Sequence, residues 1–251
     1  MMGLARLPQN WYQIPSWVFS VTLPLLSAAG PIAPGSNLLA DPGLQACLDE
    51  ALVANGWTTT EQVVSLECPG RGVSGLGGIH ELPDLQTLKL PDNRISDLAT
   101  LDLLDLLDLL VVLDLANNRL TDILLPYPLQ NLQELYLTGN RELSLAEVHP
   151  VITGNPGLTH LGLGGIALDD LGQLPVFTGS DAPYALVELD VSDAGLDDLY
   201  PVTQLETLQV LRAAGNRLVD SAPLDLLPEL RVLDLGDDDL ILIIRGALNP
   251  V

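Results

Sequence analysis

Three histidines, two cysteines and 33 acidic side chains are the groups with which this chain could do chemistry, and their spacing decides how much. His80, His149 and His160 stand far apart, and none shares a metal-ligand spacing with a cysteine or another histidine, so zinc has no donor set. Glu188, Asp190, Asp193, Asp197 and Asp198 crowd one stretch and could offer oxygens to calcium. No calcium-binding loop organises them, and a solvated acidic face is the plainer reading. The sequence holds no G-x-S-x-G nucleophile elbow, no phosphate loop and no dinucleotide fingerprint. With so many carboxylates, any pair could be nominated as acid and base, so nomination carries no weight. The expectation is a protein without catalytic residues, metal or cofactor, whose work is binding.

The charge narrows what it binds. Net charge is -23, and Lys89 is the one lysine among ten basic residues. Such a surface repels phosphate backbones, which excludes nucleic acid. An Asp-rich, Lys-poor surface also suits a salt-rich habitat, where the carboxylates are screened.

The elements that position these groups come from a repeat. In residues 85–98 Leu85, Leu88, Leu90, Asn93, Ile95 and Leu98 follow the pattern L-x-x-L-x-L-x-x-N-x-I-x-x-L. The same pattern recurs from Leu110, Leu132, Leu158, Leu186, Leu208 and Leu230, with a degenerate first copy from Val63, giving eight copies in all. Four of the seven spacings are 22 residues, and the others are 25, 26 and 28, so the longer units carry insertions. Alternation within each unit predicts a short strand with one buried face, and successive strands stack in parallel. The remainder of each unit returns by extended or short helical turns. Each unit buries its apolar face only against its neighbours, so one elongated domain is expected.

Residues 1–29, with Arg6 ahead of an apolar run broken by Pro24 and ending at Ser27-Ala28-Ala29, read either as a secretory signal peptide or as a retained hydrophobic segment held by a partner. Membrane contact is expected only through residues 14–33. Residues 30–40 form a linker, 41–76 an N-terminal cap with the degenerate repeat, 77–245 the repeats proper, and 246–251 a tail. Asp41-Pro42 predicts a helix start, Leu44, Cys47, Leu48, Ala51 and Leu52 one apolar face, and Gly56 its end. Thr58 with Glu61 fits a capping box for one more turn. Cys47 and Cys68 lie in this cap. Either they pair, closing a loop that stabilises the cap by about 3 kcal/mol and placing the chain in an oxidising compartment, or they stay a buried reduced pair.

Residues 101–109 carry Asp at every third position and suggest a tight 3₁₀-like return. Residues 145–152 suggest a convex helix, 172–185 a projecting loop, and the leucines and isoleucines from Leu240 on an apolar C-terminal edge.

These residues resemble the leucine-rich repeat family, in its 22-residue bacterial, internalin-like class, with a secreted proteobacterial type bearing a disulfide cap as the nearest pattern. The resemblance implies an α/β solenoid: a curved right-handed superhelix with a parallel β-sheet on its concave face. It implies that Asn93, Asn118, Asn140 and Asn216 form a ladder of buried amides bonding adjacent turns. Arg71, Ile166, Ala194 and Asp238 depart from the ladder, so local distortion is expected in the middle units.

A second column, Asp97, Asp122, Asp170, Asp198 and Asp220, suits Asx-type turn caps. Arg94, Arg119, Arg141 and Arg217 each follow a ladder asparagine. Either they close surface pairs with that acidic column or they form a stripe toward a partner. On the sheet the outward positions are Thr87, Val112, Glu134, His160, Glu188, Val210 and Val232 in one column, and Lys89, Asp114, Tyr136, Gly162, Asp190, Arg212 and Asp234 in the next. That mixture suits a protein partner, with Tyr136 and Arg212 as first candidate anchors. Gly139, Gly162, Gly164 and Gly165 predict a shallow floor able to admit a bulky group. The expected function is an exported, non-enzymatic module binding protein through its concave face, in the periplasm, at the cell surface or outside the cell. The alternatives are a structural subunit of an envelope or extracellular assembly, and an adhesin.

Overall fold

In a computed structural model of the chain, residues 31–98, 109–123, 129–174, 184–218, 224 and 226–236 are described. The leader at 1–29, most of the run at 101–109, the centre of the loop at 172–185, Asp220, Asp238, the Leu240–Ile244 edge and the tail at 246–251 lie outside the described residues.

Eight strands form one parallel sheet in chain order: β1 (Ser65–Glu67), β2 (Thr87–Lys89), β3 (Val112–Asp114), β4 (Glu134–Tyr136), β5 (His160–Gly162), β6 (Glu188–Asp190), β7 (Val210–Arg212) and β8 (Val232–Asp234). Each strand is three residues long because only the middle leucine of each points inward. Leu66, Leu88, Leu113, Leu135, Leu161, Leu189 and Leu211 are fully or almost fully buried. Their flanking residues lie on the opposite face and are mostly half-buried there, with Gly162 buried under its neighbours. Pairing runs strictly between successive units, from Leu66 opposite Leu88 to Leu211 opposite Leu233. Since a one-residue slip would turn every leucine outward, the repeat fixes the register. The architecture is a leucine-rich repeat solenoid. Among the described residues no helix is long and apolar enough to cross a membrane.

The cap closes the first unit with α1 (Pro42–Asn55), which buries Leu44, Leu48 and Leu52 and ends at Gly56 in the left-handed region, φ 67°. Asp41 does two jobs here. Its Oδ1 accepts from the backbone N–H of Gly43 and Leu44, at 2.8 and 3.1 Å, and its Oδ2 accepts from both the backbone and the hydroxyl of Ser74, each at 2.9 Å. Burial acts to raise the Asp41 pKa, but these bonds outweigh it and hold the carboxyl below its ordinary value. Cys47 and Cys68 are joined by a disulfide that ties α1 to the end of β1.

The short turn that follows differs from expectation. It spans Thr60–Gln62, and the side-chain oxygen that closes it belongs to Gln62, accepting from the N–H of Thr58 at 2.7 Å and Thr59 at 3.1 Å. Glu61 plays no such part, because the capping residue is Thr59 and three residues on from it is Gln62.

Among the described residues the returns between strands include 3₁₀ turns at Ile79–Glu81, Leu171–Gln173 and Tyr200–Gln204, and a helix α2 (Leu145–Gly154). In α2 the Ser144 backbone N–H donates to Glu147, closing the capping box at its start. Tyr184 donates its hydroxyl to the Ile152 carbonyl at 2.7 Å, tying the residue that leads into the β6 unit to α2.

The candidate functional site

The site is the solvent face of the sheet, and its geometry follows from the register. Thr87, Val112, Glu134, His160, Glu188, Val210 and Val232 are Cα partners in sequence across the strands, as are Lys89, Asp114, Tyr136, Gly162, Asp190, Arg212 and Asp234. Ser65 and Glu67 extend the two columns by one strand. They escaped the sequence reading because the first unit is degenerate, although the 22-residue step back from Thr87 and Lys89 reaches them.

Beneath this face the asparagines hold the turns together. Asn93 Oδ1 accepts from the Val73 N–H, Asn118 from Ile95 and Asn140 from Leu120, each at 3.0 Å. Each Nδ2 donates back to carbonyls of its own and the preceding turn; Asn140, fully buried, reaches Leu115 and Leu137 at 2.9 and 2.8 Å. Asn216 resumes the pattern three units later, its Oδ1 accepting from both Ala194 and Leu196 at 3.0 Å. Between them Ile166 and Ala194 are fully buried apolar residues in the amide positions. The backbone is distorted there: Asp169 has φ 57°, and the Ala194 carbonyl accepts from both Leu168 and Asp169.

The charges on the face are largely committed to one another. Lys89 lies 3.5 Å from Glu67, and Arg212 pairs with Glu188. The bond to Glu188 strengthens the guanidinium's hold on its proton against a smaller effect of burial. Tyr136 donates to Glu134 at 3.2 Å, and burial, followed by the fields of Glu134 and Glu188, pushes the phenol well above its ordinary value. The phenol is therefore a neutral donor throughout the physiological range. His160 sits between Glu134 and Glu188 in the register, its Nδ1 2.9 Å from the Thr159 hydroxyl.

Three aspartates on the face turn out to serve the backbone. Asp114, Asp190 and Asp234 each end a strand, and their Oδ1 atoms accept from the N–H two residues on, at Ala116 (2.9 Å), Ser192 (3.0 Å) and Gly236 (3.1 Å). Burial raises the Asp114 pKa, an effect the Ala116 bond and Lys89 oppose. The sequence signal is an aspartate at the strand end followed two residues later by a small residue, a local Asx turn.

The glycine floor is not open. A side chain at Gly162 would meet Thr138 Oγ1 at 2.9 Å and the Tyr136 ring at 3.1 Å, and one at Gly164 would meet Asp190 Oδ2 at 3.0 Å. The missing side chains leave room for the protein's own residues from the turns on either side, not for a bulky guest.

The acidic stretch does not gather around an ion. Glu188 pairs with Arg212, Asp197 with Arg217 at 3.0 Å, and Asp198 accepts from the Tyr200 N–H at 2.7 Å. Asp193 sits in the left-handed region with its Oδ1 over Gly215. Among the described residues no three His, Cys, Asp or Glu side chains converge as a metal site would need. In the other acidic column Asp170 accepts from the Gly172 N–H at 2.8 Å, so it and Asp198 form the expected turn caps. Arg217 pairs across turns with Asp197, and Arg94, Arg119 and Arg141 close no ion pair among the described residues.

The family model for the Leucine Rich Repeat matches residues 109–130. No curated protein matches the sequence. Among solved structures the chain is similar to internalin C2 of Listeria monocytogenes, with 26% identity and a TM-score of 0.67 over 85% of this chain and 92% of that one. It shares its fold with internalin InlF of the same organism, at 24% identity and a TM-score of 0.54 over 85% and 73% of the two chains. It also shares it with the functional domain of InlJ, at 24% and 0.57, over 86% of this chain and 50% of that one. The solenoid built here from leucine spacing is thus the fold of bacterial internalin structures.

Proposed function

We propose that this protein is an exported, non-enzymatic binding module that takes a protein partner on the concave face of its sheet. One observation carries the reading: strict parallel register lays the outward residues of eight strands in two continuous columns, with Tyr136 near their centre. A rigid sheet presenting an aromatic donor between committed ion pairs is suited to docking, because little side-chain entropy remains to be lost. Likeness to internalin C2 supports an interaction role, and the disulfide supports an oxidising compartment and hence export. The committed charges set the character of the face. A partner meets neutral donors, valines and closed pairs more than free charge, and affinity then rests on Tyr136, Val112 and Val210.

A photo-reactive phenylalanine analogue at Tyr136 tests this in the source cell. Cross-linking of one partner from Tyr136, and not from the exposed Val53 on α1, is the expected result. Equal cross-linking from both positions would overturn it.

A further inference from the structure

The eight basic residues of the described chain divide sharply. Arg71, Lys89, Arg212, Arg217 and Arg231 each lie within 4.0 Å of a carboxylate. The three that do not, Arg94, Arg119 and Arg141, are all exposed and occupy one position in three consecutive turns. In a chain with 33 acids and a net charge of -23, an arginine without a carboxylate is the exception, and three in a row need a reason.

Arg217 shows what the position does when it is neutralised. It follows ladder residue Asn216, whose Oδ1 accepts from the Leu196 N–H in the preceding turn, and its guanidinium reaches the next residue along, Asp197. The other three are placed alike. Asn93, Asn118 and Asn140 accept from Val73, Ile95 and Leu120, so the residues standing where Asp197 stands are Ser74, Ser96 and Thr121. All three are exposed hydroxyls rather than acids; those of Ser74 and Ser96 donate to Asp41 and Asp97. The nearby carboxylates of Asp41 and Asp92 are engaged otherwise, with Ser74 and α1 and with the Asn117 amide at 3.0 Å.

We infer that Arg94, Arg119 and Arg141, with the Thr121 hydroxyl beside the last of them, form a docking rail for a carboxylate-rich segment of a protein partner. The backbone positions that carry the three guanidiniums repeat at about one sheet spacing, roughly 5 Å. Each guanidinium offers a fork matched to a carboxylate, and beside Arg141 the Thr121 hydroxyl can donate to the same group. An acidic segment approaches against the overall charge, but that repulsion is screened beyond about 8 Å at physiological salt, whereas the forked contacts act at bonding distance. The inference rests on the protein-binding reading but uses the rim after the ladder, not the sheet columns.

The test is anisotropy of a labelled oligoglutamate long enough to span three turns, titrated with the full chain at physiological salt. Replacing the row, R94Q/R119Q/R141Q, is expected to weaken binding by about tenfold or more, whereas the paired arginines, R71Q/R217Q/R231Q, change it less than about twofold. The charge-preserving R94K/R119K/R141K falls between them, since lysine keeps charge without the fork, and it carries the test if the glutamine variant melts early. Tyr136→Ala leaves this binding unchanged even if it abolishes docking on the sheet, which separates the two readings. No binding by the natural chain, equal loss in the row and paired variants, or tighter row-dependent binding of a sulfated oligosaccharide of matched length each overturns the inference.

Discussion

The Thr138 hydroxyl donates to Asp190 Oδ2 at 3.1 Å, although 52 residues separate them in the chain. The bond passes over β5, whose unit supplies only glycines at Gly162 and Gly164 beneath it. It links the turns after β4 and β6 without using the turn between them. That connection lies in the middle units, where Ile166 and Ala194 interrupt the asparagine ladder, and it supplies a polar tie that the ladder there lacks.

Gly164→Ala drives a methyl into this tie, within 3.0 Å of both Asp190 Oδ2 and Thr138 Cγ2. The expected cost is about 1–3 kcal/mol of unfolding free energy by urea denaturation. In a double-mutant cycle with Thr138→Ala the costs are less than additive, because the second change removes what the first collides with. Full additivity would show that the two sites are independent.

Asn140→Ala strips the ladder at its most enclosed point. The Leu120 N–H and the Leu115 and Leu137 carbonyls lose the Asn140 amide in a site with no solvent exposure, which predicts a loss of about 3 kcal/mol or more. A shift in the urea midpoint smaller than that of a surface substitution would mean water replaces the amide.

Asp41 predicts a pH signature. Its pKa is lowered in the fold, so its contribution is complete above its unfolded value, near pH 4, and is lost as pH falls through the folded value. Asp41→Asn therefore melts earlier than the natural chain at pH 7, and the gap narrows as the medium is acidified below about pH 4. A gap that stays constant over that range would falsify the assignment of the cap to the ionised carboxylate.

The pair of cysteines makes the cap dependent on oxidation. Cys47→Ala/Cys68→Ala is expected to lose about 3 kcal/mol, and unfolding under reducing conditions brings the natural chain to nearly the same urea midpoint. Midpoints that stay apart under reductant would point to packing at Cys68, which is fully buried, as the larger effect.

How much of this was legible in the sequence depends on where each residue's neighbours lie. The strands were legible because an inward leucine between outward residues has one solution, and the 22-residue step sets its pairing. The arginine pairing was not. Reading along the chain joins Arg217 to the acidic residue three places on, whereas in a stacked array the nearer acid is one turn back, at Asp197, 20 residues away. The glycine floor misled for the same reason, since Thr138 and Asp190 come from turns on either side of it. The capping box slipped by a single residue because Thr58 and Thr59, and Glu61 and Gln62, are chemically near-equivalent choices. The strand-end aspartates read as display residues in the sequence because a carboxylate on a solvent face looks free until its backbone bond is seen.

The gap in the amide ladder has a mechanical meaning. Each unit touches only its neighbours, so a load along the array passes through every junction in series. Junctions clamped by Asn93, Asn118, Asn140 and Asn216 add buried amide bonds to the backbone ladder, whereas those on either side of Ile166 have the ladder, apolar packing and one hydroxyl tie. If a cell surface or a bound partner pulls on its two ends, the solenoid gives first at its middle, and the capped N-terminal block stays whole.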